Sequence, residues 1–344
     1  MVNCQAANQA LKPHGKNTKY VLIHSHCTEK SANTNNHLTR KSRMEMSAEM
    51  MKAIKEMKSM PPVPWPEYEG IPYPTFLTFR NKGAEQTIQG IKDFQSRETD
   101  IMICTHSKSG THWTYEILAL IISNTTELAK ETKSEKMLEA IPDLSVLDAL
   151  PSPRILDTHV QFQNIPTRHV EKGGKIIHMI RNPKDVSVSL YNHARKDVIT
   201  LNLDIPWNEY FEIWMTGKLP YGSWFDYELG MEQAEKDHPG LIYTCYYEDM
   251  KKNPTKEIKK LADFLEINVT DETVEGIAKA TTFDNMQKNK MDGSKFVSDD
   301  GQGFIYRKGE IGDWKNYYTV AQNERYEALF KEKMKDSQYK FQYE

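Results

Sequence analysis

Residues Arg307 to Trp314 read Arg-Lys-Gly-Glu-Ile-Gly-Asp-Trp. A planar guanidinium beside an ammonium suits a phosphate or sulfate with several oxygens. The glycines let the backbone come close and adopt positive φ. A second anion-loop candidate, Lys108-Ser109-Gly110-Thr111, lies far earlier in the chain. Together they ask for a ligand with two separated anionic groups.

The earlier candidate belongs to the run Thr105-His106-Ser107-Lys108-Ser109-Gly110-Thr111-His112-Trp113. It lies between an apolar strand pattern and a helical one. A helix N-terminus there offers free N–H donors to an anion, Lys108 adds charge, and Ser109 and Thr111 add hydroxyls. The Gly-x-x-x-x-Gly-Lys spacing is missing, which argues against an ordinary P-loop NTPase. A tight turn with a capping Ser or Thr explains the segment equally well when it is read alone. Arg181-Asn182-Pro183-Lys184-Asp185 through Ser189 is another strand-to-helix junction, with Pro near the first helical position. His159 closes a further strand, where an imidazole of ordinary pKa near 6.5 has the chemistry of a general base. Tyr246-Tyr247-Glu248-Asp249 ends a fourth. There Tyr247 is suited either to stacking on a base or to packing.

These residues need rigid elements behind them. Ile101 to Cys104, Arg154 to Thr158, Lys175 to Ile180 and Leu241 to Tyr246 are short apolar runs that read as buried strands. The helix after the first carries Trp113, Ile117, Leu120 and Ile121 on one face. Helices are expected over Lys184 to Arg195 and Thr255 to Leu265. Alternating strands and helices predict a parallel sheet covered on both faces, with ligands at the carboxyl ends of its strands. Ser47 to Lys58 reads as helical, and Pro61, Pro62, Pro64 and Pro66 then impose an extended connector.

The chain has 344 residues, 38% of them hydrophobic, and a formal net charge of −3. That charge supplies no cationic field for nucleic acid. No apolar run reaches the roughly 18–20 residues of a membrane span. Cys4, Cys27, Cys104 and Cys245 show neither zinc nor disulfide spacing and fit a reducing cytosol. Residues 1–45, rich in Asn, Thr, His and Lys, read as a disordered or non-native extension, with Met46 and Met50 as alternative starts. His24, His26 and Cys27 have metal-binding side chains but no ordered element to fix them, so no metal site is expected.

In combination these segments resemble the cytosolic sulfotransferases over about residues 70–340. Lys108 to Trp113 is similar to that family's phosphosulfate loop, Arg181 to Ser189 to its Arg-Asn-x-Lys-Asp-x-x-x-Ser segment, and Tyr246 to Met250 to its Tyr-Tyr-Glu-Asp-Met segment. Thr281-Thr282-Phe283 resembles the run near the adenine, followed by Asp284, Asn285 and Met286. Arg307 to Lys315 matches the Arg-Lys-Gly-x-x-Gly-Asp-Trp-Lys segment throughout.

The resemblance implies one α/β domain over residues 46–344, with a central parallel β-sheet flanked by helices and a P-loop-like phosphosulfate-binding loop. It implies transfer of a sulfonate from 3′-phosphoadenosine 5′-phosphosulfate (PAPS) to a hydroxyl or amine of a small acceptor such as a phenol, steroid or hormone, without a metal. On that pattern Lys108, Ser109, Gly110, Thr111, His112 and Trp113 hold the phosphosulfate end. Arg181, Ser189, Arg307, Lys308 and Gly309 hold the 3′-phosphate, and Tyr247, Thr281, Thr282, Phe283, Asp284, Asn285 and Met286 line the adenosine side. His159 acts as general base with Lys108 as its catalytic partner. Lys315, Thr319, Val320 and Glu324 fit a short homodimer motif, and a cytoplasmic location is expected.

Four departures stand out, one of them Asn192 and His193, where members often have Phe and His near the acceptor pocket. Asp157 replaces a lysine of the usual Lys-Thr-His, where an acid repels a sulfonate unless it is ion-paired or turned away. His106-Ser107 replaces Tyr-Pro, and His112 replaces a threonine. They leave open a protein that binds the nucleotide or a hormone with little catalysis. The acceptor pocket is expected to be apolar, drawn from Tyr73 to Phe79, Leu144 to Pro153 and Leu219 to Tyr227.

Overall fold

The computed structural model describes residues 48–129, 131, 133–290 and 292–344. The expected N-terminal extension, with His24, His26 and Cys27, lies outside them. Helix α1 (Ala48–Ser59) stops before the proline run. A two-rung antiparallel hairpin, β1 (Glu67–Tyr68) with β2 (Ile71–Pro72), and helix α2 (Leu77–Lys92) lead into the sheet.

That sheet contains β3 (Ile101–Cys104), β4 (Ile155–Thr158), β5 (Lys175–Ile180) and β6 (Ile242–Tyr246). Its order is β4-β3-β5-β6, and every pairing is parallel. The four expected strands are present to within a residue. Parallel strands need crossovers, and α3 (Thr111–Ser123), α4 (Thr167–Glu171), α5 (Pro183–Lys196), α6 (Trp207–Thr216) and α7 (Trp224–Asp237) supply them; α8 (Tyr247–Lys252), α9 (Pro254–Phe264) and α10 (Asp271–Ala280) follow the last strand. Helix α11 (Phe283–Asn289) and the C-terminal α12 (Val320–Lys333) complete the frame.

Strand alternation survives inside these all-apolar runs. Ile101, Ile103, Ile177 and Met179 share one core with Ile117 and Ile121 of α3 and Ile258 and Leu261 of α9. Met102, Cys104, Leu156 and Ile176 point the other way, into a core with Ile88 and Ile91 of α2 and Met231 of α7. A slip of one residue in β3 would exchange the two faces, so both cores fix the register. Cys104 and Cys245 are free and buried, and burial pushes both thiols up.

An ion pair sets the entry to the adjacent strands β3 and β4. Asp100 precedes β3 and Arg154 precedes β4, and both side chains are fully buried. Arg154 Nε donates to Asp100 Oδ1 at 2.9 Å and Nη2 to Oδ2 at 2.5 Å. The residues that follow, Ile101 and Ile155, are register partners. Replacing Arg154 with Met leaves Asp100 buried without its counter-ion. We expect a loss of about 3–5 kcal/mol in urea unfolding, whereas the double replacement Arg154→Met with Asp100→Leu recovers most of it.

Candidate active site: a cation-lined cleft at the carboxyl ends of the strands

The carboxyl ends of β3, β4, β5 and β6 open into one cleft of about 310 Å³. After β3 the chain turns at Ser107–Gly110 and enters α3 with no side chain capping it, which leaves its first N–H groups to an anion. Lys108 is held at φ 73°, a left-handed conformation a lysine takes only when its surroundings fix it. Gly110 at φ 120° faces the Tyr247 ring, and an added Cβ would stand 3.0 Å from it. Three buried donors here have no protein partner: Ser109 Oγ, Trp113 Nε1 and Arg181 Nε. Buried orphan donors are costly, so their clustering fits a polar ligand that supplies acceptors.

Lys108 Nζ stands 3.1 Å from His193 Nδ1. An ammonium only donates, so His193 accepts, and burial followed by the charge on Lys108 keeps that ring neutral. Burial lowers Lys108 itself to about 8, with Asp292 opposing and the other cations adding to the shift.

The far end of the cleft is built by Arg181 after β5 and by the 307–314 segment. Arg181 lies over the Tyr247 ring at 4.3 Å and donates to Glu310 O at 2.9 Å. Arg307 Nη2 and Lys308 Nζ both reach Asp313, at 2.6 and 2.5 Å. Burial raises the Asp313 carboxyl, but hydrogen bonds from Lys308, Asn316 and Arg307 outweigh it and take it to about 2. Gly309 at φ 66° packs on Phe283, and an added Cβ would meet that ring at 2.3 Å. Asp185 ties the two parts together: its carboxylate accepts from the backbone N–H of Gly312 at 2.8 Å and of Trp314 at 3.0 Å.

His159 follows β4 and lines the same cleft. Its Nδ1 lies 2.7 Å from Thr105 O, a carbonyl that can only accept. Nδ1 therefore carries the proton, and Nε2 keeps its lone pair. Burial first, then the charge of Lys133, hold the imidazole well below 6.5. Glu139 fixes the main chain here, accepting from His159 N–H and from the Thr158 hydroxyl, both at 2.8 Å. Burial pushes Glu139 up to about 6.

Lys108, Gly110, Thr111, His112 and Trp113 line this cleft together with Arg181, Ser189 and Tyr247. Thr281, Phe283, Met286, Arg307, Lys308 and Gly309 line it as well. Ser109 is buried within the loop, with its Oγ among the unpartnered donors. Thr282, Asp284 and Asn285 stand outside the lining and shape the local turn; Asn285 Nδ2 donates to Ala280 O at 2.6 Å. On the acceptor side Pro74, Phe76, Leu77, Pro220 and Tyr221 come from two of the expected stretches. The third, Leu144 to Pro153, contributes nothing to the lining; it wraps Arg154, which donates to Leu147 O at 3.2 Å. Ile54 and Met57 of α1 take a place there instead.

Two residues that pattern reading missed are Glu139 and Lys133. They come from short 3-10 turns without periodicity, so no local signal marked them. Lys133 resolves the departure at Asp157: its Nζ lies 2.5 Å from Asp157 Oδ2, and both side chains are buried. Asp157 is thus ion-paired, which removes one of the departures that left a binding-only protein open. His106 is also buried, packed edge-on against Tyr227 at 5.6 Å and Trp214 at 6.1 Å.

A parallel α/β sheet ending in two cationic loops and a neutral histidine defines an enzyme that transfers an anionic group. A family model described as a sulfotransferase domain matches residues 98–338. Sulfotransferase 1B1 of Canis lupus familiaris is 38% identical over 289 residues, covering 79% of this chain and 94% of the relative. The crystal structure of mouse sulfotransferase SULT7A1 complexed with PAP is similar at 31% identity and a TM-score of 0.65, covering 79% of this chain and 95% of that one. Retinol dehydratase in complex with androsterone and PAP shares the fold at 20% identity and a TM-score of 0.69, over 86% and 97% of the two chains. The chain belongs to the sulfotransferase family, enzymes that move a sulfonate group to small acceptors. Among the described residues, no group of three or more His, Cys, Asp or Glu is arranged to hold a metal, and no helix is long and apolar enough to cross a membrane.

The tautomer of His159 is directly measurable. Nitrogen-15 spectra at pH 6.5 should show its ring neutral with the proton on Nδ1. A charged ring at that pH would contradict the burial argument, because a lowered pKa leaves the neutral form dominant there.

Proposed function

We propose that this chain transfers the sulfonate of PAPS to a hydroxyl of a small, largely apolar acceptor, with His159 as general base and Lys108 stabilising the leaving phosphate. What supports this reading above all is one juxtaposition. The free Nε2 of a neutral histidine opens into the same cleft as Lys108, Arg181, Arg307 and Lys308.

The cradle fits a nucleotide with anions at both ends. Lys108, the α3 N-terminus and the Ser109 hydroxyl take the phosphosulfate. Arg181, Ser189, Arg307, Lys308 and the Gly309 backbone take the 3′-phosphate. Trp113, Tyr247, Thr281 and Phe283 enclose the adenosine. When bound, PAPS supplies the sulfonate and leaves as PAP.

The acceptor hydroxyl approaches in line. Its oxygen bonds to sulfur as the bond between sulfur and the bridging oxygen breaks, and the electron pair stays on the phosphate. The acceptor proton passes to His159 Nε2. Lys108 faces the charge that grows on the bridging oxygen, and its placement beside His193 fixes it there before the reaction starts. Pro74, Phe76, Leu77 and Tyr221 give the acceptor an apolar slot. A cytoplasmic location belongs to the same reading. So does a homodimer through Lys315, Thr319, Val320 and Glu324, because Val320 is 77% exposed at the start of α12, where Thr319 caps the helix.

Labelled sulfonate transfer from PAPS to a panel of phenols and sterols tests the assignment. His159→Ala should lower kcat by about 10²–10⁴-fold, and unchanged rates in both His159→Ala and Lys108→Ala would sink it. The pH profile of kcat/KM should be a bell. Its acid limb lies below pH 6.5, where His159 takes up a proton, and its alkaline limb near 8, where Lys108 loses one. In kcat the bound anion holds the Lys108 proton, so the alkaline limb moves up. For the dimer, Val320→Asp should shift sedimentation to the monomer without altering turnover; a monomeric parent protein would refute that part alone.

A further inference from the structure

We propose that Lys133 is a further cation of the reaction centre, donating to a sulfonate oxygen during transfer, and that Asp157 is the positioning residue that holds it there. This rests on the sulfonate-transfer reading above.

Lys133 begins a 3-10 turn between α3 and β4 and is buried at 5% exposure. A buried ammonium needs a partner, and Asp157 Oδ2 at 2.5 Å supplies one. The partner is itself fixed twice through the backbone. Asp157 N–H donates to Lys136 O at 3.1 Å, and Asp157 forms a parallel bridge with Met137. The segment carrying Lys133 is thereby laid along the edge of β4, two residues before His159. An ammonium has three N–H donors. Asp157 takes one, and Met137 Sδ, a weak acceptor 3.9 Å away, takes another. A third remains for the cleft, which Lys133 lines together with His159 and Lys108.

Stability alone is a poor reason to keep such a pair, since an apolar replacement of a buried ion pair is often neutral or better. The reach of this charge supports a role in the reaction. After burial, Lys133 is the largest influence holding both His159 and His112 in the neutral form. One ammonium therefore favours an unprotonated base and faces the sulfonate that the base's substrate attacks. The step stays balanced, because Lys133 forms a hydrogen bond and neither gains nor loses a proton.

Two variants of the full chain separate a reacting role from a structural one. Lys133→Met with Asp157→Leu removes the whole pair, and Lys133→Gln keeps a donor but no charge, in case the double variant fails to fold. We expect kcat to fall about 10- to 10³-fold in either, with PAP affinity within about twofold of the parent and KM for the acceptor little changed. Lys133→Arg should restore part of kcat. Turnover within about twofold of the parent would overturn the proposal, and so would a loss of PAP affinity matching the loss of kcat. A second readout does not need turnover. Inorganic sulfate, titrated by calorimetry into the PAP-loaded protein, should bind about tenfold more weakly to Lys133→Gln, and equal affinity would also overturn the role. If the parent protein transfers no sulfonate at all, the functional reading fails by itself, while the sulfate titration still decides whether Lys133 faces the anion.

Discussion

The carboxylate of Asp185 joins two distant parts of the cleft wall. It sits in the first turn of α5, buried, and receives N–H bonds from Gly312, Trp314 and the Asn182 amide. The first two donors belong to a segment far along the chain with no regular structure of its own beyond a short turn. Together with the bond from Arg181 to Glu310 O, that acceptor holds Arg307 and Lys308 beside Arg181. The cleft exists because one buried acid satisfies a loop that could not otherwise be desolvated.

A second constraint is that His159 directly follows β4, the strand at the edge of the sheet as built from its named strands. An edge strand needs support on its open side. The segment from Lys133 to Glu139 provides it, through the Met137–Asp157 bridge, the Lys133–Asp157 pair and the Glu139 carboxylate under His159. Positioning of His159 and protection of the edge are therefore one structure. This also explains how an acid stands close to a site for anions: its charge is committed to Lys133.

The sheet, its helices and most of the cationic residues were legible in the sequence, because each depends on local pattern. Apolar runs of strand length, proline at a helix start and glycine beside paired cations are local statements. What escaped was tertiary. Lys133 and Glu139 lie in turns whose sequence has no period, and their roles appear only once β4 is alongside. Leu144 to Pro153 looked like pocket wall because it is apolar, but the buried Arg154 guanidinium draws its carbonyls inward. Ile54 and Met57 read as one face of a helix; which surface that face would meet was not a property of the helix. Thr282, Asp284 and Asn285 belong to a contiguous motif whose other members, Thr281, Phe283 and Met286, are the ones that line the cleft.

The bond from Asp313 to Arg307 and Lys308 has a consequence for selectivity. The two cations are not waiting bare for a ligand; they hold an internal counter-ion that is tethered one turn away and always present. Any incoming anion has to outcompete it. A singly charged group brings no more charge than the carboxylate it would displace, and it lacks the tether's effective concentration. A doubly charged phosphate brings more charge and more acceptor oxygens. The protein thus carries its own reference competitor for any anion that reaches these two cations.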